Sequence, residues 1–212
     1  SHTTIVAEPD ESKRKALSAI GVVTAPDAAR GLESLALVEV ATRSTGAVVL
    51  AVKPQVMARV VEETPTLKGT ADRLAVSIMA GMTRDRVRTL LGGTWRVARV
   101  MPNLAIGVGK GMTAIAEDGS MAPAEVAWIE RLFGAGGKSV HLPEAMMDAF
   151  TAVAGSGPAY LFYLAEALER GAIGIGFDRE VAREIVRQTL VGAAALLERG
   201  GEDPAALRAA VT

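Results

Sequence analysis

The sequence predicts an α/β protein in which an open, doubly wound sheet is followed by an all-helical segment. Over the first two-thirds of the 212 residues, short apolar runs alternate with helical stretches. This alternation is typical of repeated β–α units around a parallel sheet. After about Leu142 the strand patterns stop and helical periodicity continues. We therefore predict two domains, a sheet domain over residues 1–143 and a helical domain over residues 144–212.

Apolar runs that end abruptly predict the strands. Residues 47–52 are apolar throughout rather than at alternate positions, which favours a strand buried on both faces of a parallel sheet. Further strands are expected at residues 4–7, 74–80 and 96–101, with weaker candidates at 112–116 and 139–142. Helices fit between them at residues 11–19, 55–63, 83–91 and 122–134, and the long connection over residues 28–46 has room for another.

Proline and glycine mark the first helices predicted for the C-terminal third. Pro143 and Glu144 begin one helix, which runs into the turn at residues 155–158. Pro158 suits the first position of the next helix, over residues 158–170, because the missing N–H of a proline is not needed there. Three glycines, at positions 171, 174 and 176, are expected to end that segment.

Two aspartates are expected to cap the last helices. Asp178 precedes a helix over about residues 179–199, and Asp203 precedes a final helix that begins at Pro204. The Ala-, Leu- and Val-rich faces of these helices exceed what three short helices bury among themselves. A partner chain is therefore expected to cover them.

Composition narrows the classes of function. The formal net charge is −1, with 23 basic and 24 acidic residues interspersed, so the charge pattern favours neither nucleic acid nor an anionic membrane as a partner. The chain has no cysteine, which excludes disulfides, thiol catalysis and the usual structural zinc ligands. The longest apolar runs are far shorter than the roughly 20 residues that span a bilayer, and no signal peptide is visible. A cytoplasmic protein is expected.

Breaks in the apolar pattern follow four of the predicted strands. Open parallel sheets bind their ligands beyond the carboxyl ends of the strands. The breaks at these ends are Glu8-Pro9, Lys53-Pro54, Gly81 and Pro102-Asn103. One break alone is more simply a strand terminator, whereas four on one edge of the sheet favour a ligand site.

Glu8 has two interpretations of equal weight. A carboxylate after an early strand often accepts hydrogen bonds from the ribose hydroxyls of NAD. An acid at the start of a helix is also stabilised by the helix dipole alone. Lys13 and Arg14, about one turn further along, would instead suit the 2′-phosphate of NADP, so the choice of cofactor stays open.

The remaining residues favour cofactor chemistry over a protein nucleophile or a metal. The sequence offers no Ser-His-Asp set and no metal-ligand spacing, and His141 is expected to end a strand. The glycine fingerprint of a dinucleotide-binding turn is absent. Glycines 107, 109 and 111 lack the P-loop spacing, and Gly174 and Gly176 follow a helix. Hydride transfer needs neither a nucleophile nor a metal, because the cofactor carries the reaction.

Several segments in one order resemble the pyrroline-5-carboxylate reductases. They are Ala51-Val52-Lys53-Pro54-Gln55, Ala80-Gly81-Met82-Thr83, Arg99-Val100-Met101-Pro102-Asn103 and Gly155-Ser156-Gly157-Pro158-Ala159-Tyr160, with parts of residues 192–212. Any single segment is a weak signal, and the ordered set is specific.

The resemblance implies an enzyme that reduces L-1-pyrroline-5-carboxylate to L-proline with NADPH or NADH, the last step of proline biosynthesis. It also implies a Rossmann-like nucleotide-binding domain, here incomplete at its N-terminus, and a helical dimerisation and substrate domain. Homodimers of this family often assemble into decamers. The partners implied are thus the small-molecule substrate and further copies of the chain.

The resemblance also implies which residues contact the ligands. The implied cofactor contacts are Ala7, Glu8 and Pro9 at the ribose, Ala51, Val52, Lys53, Pro54, Ala80 and Gly81 along the cofactor, and Met101, Pro102 and Asn103 near the nicotinamide. No catalytic residue is firmly assignable, and the candidates are Ser156, Glu202 and Thr212.

Departures from the family pattern leave alternatives open. The glycine-rich first turn is absent, and Asn103 is followed by Leu104-Ala105 where the family usually has Thr-Pro. Ala154 stands where Ser or Thr is common, and the substrate loop should begin after Thr212. We therefore expect this chain alone to be inactive. A related imine or β-hydroxyacid reductase, or a non-catalytic helical association module with a degenerate Rossmann remnant, stays an alternative.

Overall fold

The computed structural model describes residues 3–42, 46–68, 73–117, 119, 121–201 and 203–211. The chain divides into two compact units, Ser1–Gly155 and Ser156–Thr212. The described strands all lie in the first unit, and the described elements of the second unit are helices. This division groups residues 144–155 with the strands, whereas the sequence places the boundary at residues 143/144, which stays a prediction.

The strands of the first unit form two sheets. β1 (Ile5–Ala7) and β2 (Val23–Ala25) pair in parallel as a sheet of two strands. The larger sheet has five strands in chain order, namely β3 (Ala47–Leu50), β4 (Leu74–Ser77), β5 (Arg96–Pro102), β6 (Gly111–Glu117) and β7 (Gly137–Pro143). Pairing is parallel except between β5 and β6. The turn from β5 to β6 over residues 103–110 is too short for the crossover that a parallel pair requires, so β6 runs antiparallel to β5.

Helices connect the strands of the first unit. They are α1 (Glu11–Ala19), α2 (Ala28–Thr42), α3 (Met57–Glu63), α4 (Arg84–Leu90) and α5 (Pro123–Gly134). A 3-10 turn, Pro54–Val56, leads into α3. α2 thus lies in the long connection over residues 28–46, where the sequence left room for a helix.

The larger sheet is buried on both faces, which confirms the predicted α/β class. Every residue of β4 is buried, and successive residues of a strand face opposite sides. Ala75 packs in one core with Met57 of α3, and Val76 packs in the other with Ile129 of α5. Apolar residues at consecutive positions are therefore required, which explains the unbroken apolar runs in the sequence.

Residues 144–155 differ from the single helix expected after Pro143. A 3-10 turn, Glu144–Met146, is followed by α6 (Met147–Phe150) and then by a π-helical turn, Thr151–Gly155. The Thr151 hydroxyl donates to the carbonyl of Met147 at 2.8 Å, a bond that bends helices. The apolar period alone does not distinguish these three helical geometries.

The second unit contains α7 (Gly157–Gly174), α8 (Arg179–Arg199) and α9 (Pro204–Ala209). Gly171 lies inside α7 rather than at its end, because a single glycine costs a helix only about 1 kcal/mol. Asp203 caps α9 through the backbone N–H groups of Ala205 and Ala206. Asp178 stands at the N-cap position of α8, but its carboxylate forms no capping hydrogen bond within the described chain.

One strand was not predicted from the sequence. β2 has three residues and lies between a left-handed Gly21 and Pro26, so it is too short to show a period of its own. No described helix combines the length and the apolar composition that crossing a membrane requires.

Candidate functional site

The carboxyl ends of β3, β4 and β5 lie at one edge of the larger sheet. Parallel pairing aligns Leu50 with Ser77, and Ser77 with Arg99. Just beyond this level lie three short segments, which we call the strand-end edge: residues 51–54, 78–81 and 101–103. Three of the four predicted breaks therefore lie side by side, where an open parallel sheet binds ligands.

The fourth predicted break is not aligned with the others by strand pairing. Glu8 and Pro9 follow β1, which belongs to the smaller sheet. α2 packs against both sheets. A side chain at Gly31 would meet the Cβ of Ala7 at 3.2 Å, and Leu32 of the next position packs against the core of the larger sheet.

The strand-end edge presents backbone to solvent. Ala51, Lys53, Ala80 and Gly81 are exposed, whereas Leu50 is buried immediately before them. Val52 and Pro54 are half-buried, and Val52 packs against the core. Small exposed residues above a buried core allow a flat ligand to approach the main chain closely.

Gly81 makes the sharpest turn at this edge. Its φ is +69°, a left-handed conformation that glycine adopts without the steric cost of a Cβ. A Cβ built at Gly81 would meet no atom within 4 Å. The glycine is therefore required for its backbone conformation, and the space above it is open.

Asn103 joins three segments at the end of β5. Its side-chain Oδ1 accepts from the backbone N–H of Met112 at 3.1 Å. Its Nδ2 donates to the carbonyl of Ala154 at 3.0 Å. The amide thus connects the end of β5, the start of β6 and the π-helical turn, and both of its polar atoms are occupied.

Met101 brings the π-helical turn against the same strand. A Cβ at Gly155 would lie 3.4 Å from the terminal methyl of Met101 and 3.2 Å from Cγ2 of Thr151. Gly155 is thus closely packed between its own turn and β5. Two segments that the family resemblance places near the reacting ring, Met101–Asn103 and the kink at Gly155, therefore contact each other directly.

A charged network that was not predicted from the sequence lies beside this contact. Arg99 points from β5 with a side chain only 5% exposed, and its guanidinium lies 2.6 Å from Asp148 and 3.7 Å from Glu144. Glu144 also accepts from the backbone N–H of Arg84 at 2.8 Å and from its Nε at 2.7 Å. The network ties β5 and the start of α4 to residues 144–148.

The ionised form of Glu144 is stabilised by this network. Burial alone would raise the pKa of Glu144, but the backbone N–H of Arg84, its guanidinium and the charge of Arg99 outweigh burial and lower that pKa. The sequence contains one signal of this network, since Arg99 is a charged residue between apolar neighbours in its strand. Charged residues are almost never fully buried unless they are paired.

The turn after β1 is fixed by its own side chains. The N–H of Glu8 donates to Ala25 of β2 at 3.0 Å, and the Glu8 carboxylate accepts from the N–H of Asp10 at 2.9 Å. Arg14 donates through Nη1 to the carbonyls of Glu8 and Pro9, each at 2.7 Å. Ala7 and Pro9 are exposed.

Of the three catalytic candidates, Ser156 lies among the described residues. Ser156 begins the second unit at the N-cap position of α7, and its carbonyl accepts from Ala159 at 2.9 Å. Its hydroxyl makes no capping bond to the helix within the described chain. Glu202 and Thr212 lie outside the described residues.

His141 and the acidic residues form no metal site in the part of the chain that is described. His141 lies in β7, and its Nε2 is 2.7 Å from Glu130 of α5. Among residues 3–42, 46–68, 73–117, 119, 121–201 and 203–211, no three His, Cys, Asp or Glu side chains are grouped as metal ligands.

Comparison with known proteins identifies the family. A family model described as pyrroline-5-carboxylate reductase dimerisation matches residues 144–212. A pyrroline-5-carboxylate reductase from Aquifex aeolicus is 33% identical over 208 residues, which cover 98% of this chain and 73% of the relative. The chain belongs to the pyrroline-5-carboxylate reductase family. The resemblance stated from the sequence motifs is thereby confirmed.

Other members of the pyrroline-5-carboxylate reductase family agree over different lengths. A Synechocystis reductase is 41% identical over 164 residues, and this match spans about 60% of that relative's length. The solved Coxiella burnetii reductase superposes with a TM-score of 0.79 at 28% identity, covering 98% of this chain and 74% of that one. A Plasmodium falciparum pyrroline carboxylate reductase with NADP bound has the same fold, with a TM-score of 0.69 and 24% identity, over 77% of this chain and 65% of that one.

Proposed function

We propose that the complete protein reduces L-1-pyrroline-5-carboxylate to L-proline with NADH or NADPH, as an oxidoreductase of proline biosynthesis. The observation that carries this proposal is the strand-end edge, where the family's motif segments lie side by side and the Met101–Asn103 segment contacts the π-helical turn. Family membership supplies the reaction class, and the geometry of the edge suits a bound dinucleotide.

The described residues fit a nicotinamide dinucleotide. Ala51–Pro54 and Ala80–Gly81 offer an exposed main chain above a buried core, and the left-handed Gly81 leaves open space. Glu8 supplies a carboxylate at the end of β1 for ribose hydroxyls. We assign Met101, Pro102 and Asn103 to the nicotinamide end, because this segment continues beyond the edge formed by the two neighbouring strands.

The residues of this chain act by positioning. The bound cofactor supplies the hydride. A protonated imine is already a good electrophile, so a water or a hydroxyl suffices as a proton source. The work left to the protein is to place two reacting atoms in a near-attack geometry. Asn103 helps to hold this geometry because it fixes the end of β5 to the π-helical turn. The Met101–Asn103 segment and the kink at Gly155 therefore keep one arrangement.

The substrate carboxylate requires hydrogen-bond donors. Ser156 remains a candidate donor, since its hydroxyl forms no capping bond to α7. Glu202 and Thr212 remain candidates on the family resemblance alone. We place the main carboxylate contacts in the loop that follows Thr212 in this family.

An enzyme assay tests the proposal. The protein expressed from its complete gene is mixed with L-1-pyrroline-5-carboxylate, and oxidation of NADH and of NADPH is followed by absorbance while proline is quantified. We expect proline to form in proportion to cofactor oxidised. Residues 1–212 alone are expected to give no turnover, because the glycine-rich turn for the pyrophosphate is absent. No proline with either cofactor from the complete protein would refute the proposal.

One departure from the family pattern gives a reason to measure the substrate range. Leu104 follows Asn103 where the family usually has Thr, and Leu104 is 73% exposed. A panel of cyclic imines and β-hydroxyacids, compared by kcat/KM, measures that range, and we expect a preference for pyrroline-5-carboxylate.

We also propose that the second unit forms a homodimer. Five successive residues of α7, from Tyr160 to Leu164, are apolar or aromatic and between 47% and 69% exposed. Successive helical residues are about 100° apart, so these five surround the helix axis and leave this stretch of α7 no charged side for solvent. The matching family model is a dimerisation model. A decamer of five dimers is the larger assembly that the family resemblance suggests, and light scattering of the complete protein tests both.

A cytoplasmic location stays a prediction. It rests on the requirement that a biosynthetic reductase meets its NAD(P)H pool, and subcellular fractionation of the producing organism tests it.

A further inference from the structure

NADH and NADPH differ only in a phosphate on the adenosine ribose. A reductase of this fold therefore distinguishes them by the groups that follow the strand next to that ribose. A carboxylate suits the two hydroxyls of NADH, whereas free cations and free N–H groups suit the phosphate of NADPH. In this chain the segment that decides is Glu8 to Lys15, from the end of β1 into α1.

The carboxylate of Asp10 already occupies the N-terminus of α1. Oδ1 of Asp10 accepts from the N–H of Ser12 at 2.8 Å and from the N–H of Lys13 at 3.2 Å. It also accepts from the hydroxyl of Ser12 at 2.6 Å. These hydrogen bonds lower the pKa of Asp10, the Ser12 hydroxyl contributing most. Free N–H groups at a helix N-terminus bind phosphate, and here an ionised carboxylate fills that place.

The cations of α1 are largely engaged as well. Arg14 turns back onto the carbonyls of Glu8 and Pro9. Lys15 pairs with Glu11 at 2.8 Å on the helix surface. Lys13, on the exposed side of the first turn, is the cation of this helix nearest to the N-cap acid. A 2′-phosphate here would meet Glu8 and Asp10 with Lys13 as its one counterion on α1.

Glu8 is placed to accept from a ribose. It follows the last residue of β1 and is half-buried. One carboxylate oxygen, Oε1, accepts from the N–H of Asp10 at 2.9 Å, which fixes the side chain over its own turn. Arg14 fixes the backbone of the same turn by donating to the Glu8 carbonyl. The carboxylate is thus held in one position, with its second oxygen as a further acceptor for ribose hydroxyls.

We propose that Glu8 and the Asp10-capped turn select NADH over NADPH. This inference rests on the proposed function, because it assigns a role to residues at the cofactor site of that reductase. Two negative groups oppose a 2′-phosphate, and like charges brought together in a binding site cost affinity. The ribose diol of NADH carries no charge and donates to Glu8.

Equilibrium binding tests the selectivity without reference to turnover. The complete protein in phosphate-free buffer is titrated with NADH and with NADPH, and dissociation constants are read from the nicotinamide fluorescence. We expect NADH to bind at least about tenfold more tightly. Equal binding or tighter NADPH would overturn the inference and leave the proposed function intact. If neither nucleotide binds, the proposed function itself is refuted and the inference with it.

A matched pair of variants assigns the selectivity to Glu8. In Glu8→Gln the amide oxygen still accepts from Asp10, so the turn is kept while the charge is lost. We expect this variant to reduce the ratio of the NADPH to the NADH dissociation constant by about fivefold or more. Glu11→Gln removes a charge from the first turn of the same helix that pairs with Lys15, and we expect the ratio to stay within about twofold. The same change in both variants would show that overall charge, not the Glu8 carboxylate, sets the preference.

Discussion

At the scale of single residues, Asn103 occupies a position that uses both a hydrogen-bond donor and an acceptor. Its carbonyl oxygen accepts from Met112 and its amide nitrogen donates to Ala154, so both ends of one rigid amide are used. The bond to Ala154 reaches the last turn before Gly155, where a π-helical geometry leaves the main chain out of regular α-helical pairing. Neither a donor-only nor an acceptor-only side chain satisfies both partners.

We predict that Asn103→Asp impairs the reaction more than it impairs cofactor binding. The aspartate still accepts from Met112 but cannot donate to Ala154, so the π-helical turn is released from β5. A displacement of about 1 Å at a reacting centre lowers rates by about 100-fold. We therefore expect kcat to fall by about 10- to 100-fold, with the nucleotide dissociation constant changed less than about threefold.

Lys138→Ala is the matched control for Asn103→Asp. Lys138 is exposed on β7, where it lies opposite Met112 on the side of β6 that faces away from β5, and its loss should change neither constant. Thermal unfolding of both variants separates positioning from folding, because lost stability lowers the active fraction and affects kcat and nucleotide binding capacity together. If Asn103→Asp weakens nucleotide binding as much as it lowers kcat, Asn103 contacts the cofactor instead of positioning the turn.

The motif around Asn103 was visible in the sequence, but the partners of its members were not. The order of the segments predicted that Met101–Asn103 and Gly155 belong to one site, and the contact of Gly155 with Met101 brings them together. The pairing of Arg99 with Asp148 and Glu144 joins residues more than 40 positions apart. Such pairs depend on tertiary packing, for which a single sequence carries no period or local pattern.

At the scale of elements, the strands were predicted best where burial is two-sided. β4 is buried at every position and apolar at three of its four positions, so its pattern is clear in the sequence. β2 has only three residues, and the antiparallel direction of β6 follows from the length of a loop rather than from the strand's own composition. The helices after Pro143 show the same limit, because one apolar period is compatible with 3-10, α and π turns.

The turn from β4 into α4 gives a test of the strand-end edge. Gly81 and Gly93 both have positive φ, of +69° and +87°, and a Cβ at either would meet no atom within 4 Å. They flank α4 from opposite sides, since Gly81 follows β4 while Gly93 precedes β5. An alanine at either position therefore adds the same backbone strain, about 1–2 kcal/mol, without a steric clash.

We predict that Gly81→Ala weakens nucleotide binding whereas Gly93→Ala does not. Both variants should lose similar stability in urea unfolding, because both force a non-glycine residue into the left-handed region. The Cβ at Gly81 enters the space that we assign to the cofactor, and we expect at least about fivefold weaker binding of the preferred nucleotide. Equal binding by the two variants would place the cofactor away from this edge.

At the scale of the whole molecule, the two units differ in how well they bury their own apolar residues. The first unit encloses two cores, one on each face of its larger sheet. Among the described residues of the second unit only Ala182 and Val186 are buried. The sequence anticipated this difference as an excess of apolar helical faces, although it did not show that the stretch Tyr160 to Leu164 of α7 is exposed on all sides.

We predict that Phe162→Arg dissociates the assembly formed through α7. Phe162 is 61% exposed in the single chain, and an arginine at the covered centre of an interface replaces apolar burial by an unpaired charge. Truncations of central aromatic residues typically cost about 2–4 kcal/mol of binding free energy, or roughly 30- to 1,000-fold in the dissociation constant. Light scattering at micromolar concentration should therefore show the wild-type mass reduced to that of one chain. Leu37→Arg on α2, where the native side chain is 74% exposed, adds the same charge outside the second unit and should leave the mass unchanged. A wild-type protein that is monomeric at this concentration, or a Phe162→Arg variant that keeps its full mass, would show that α7 is covered by something other than a second copy.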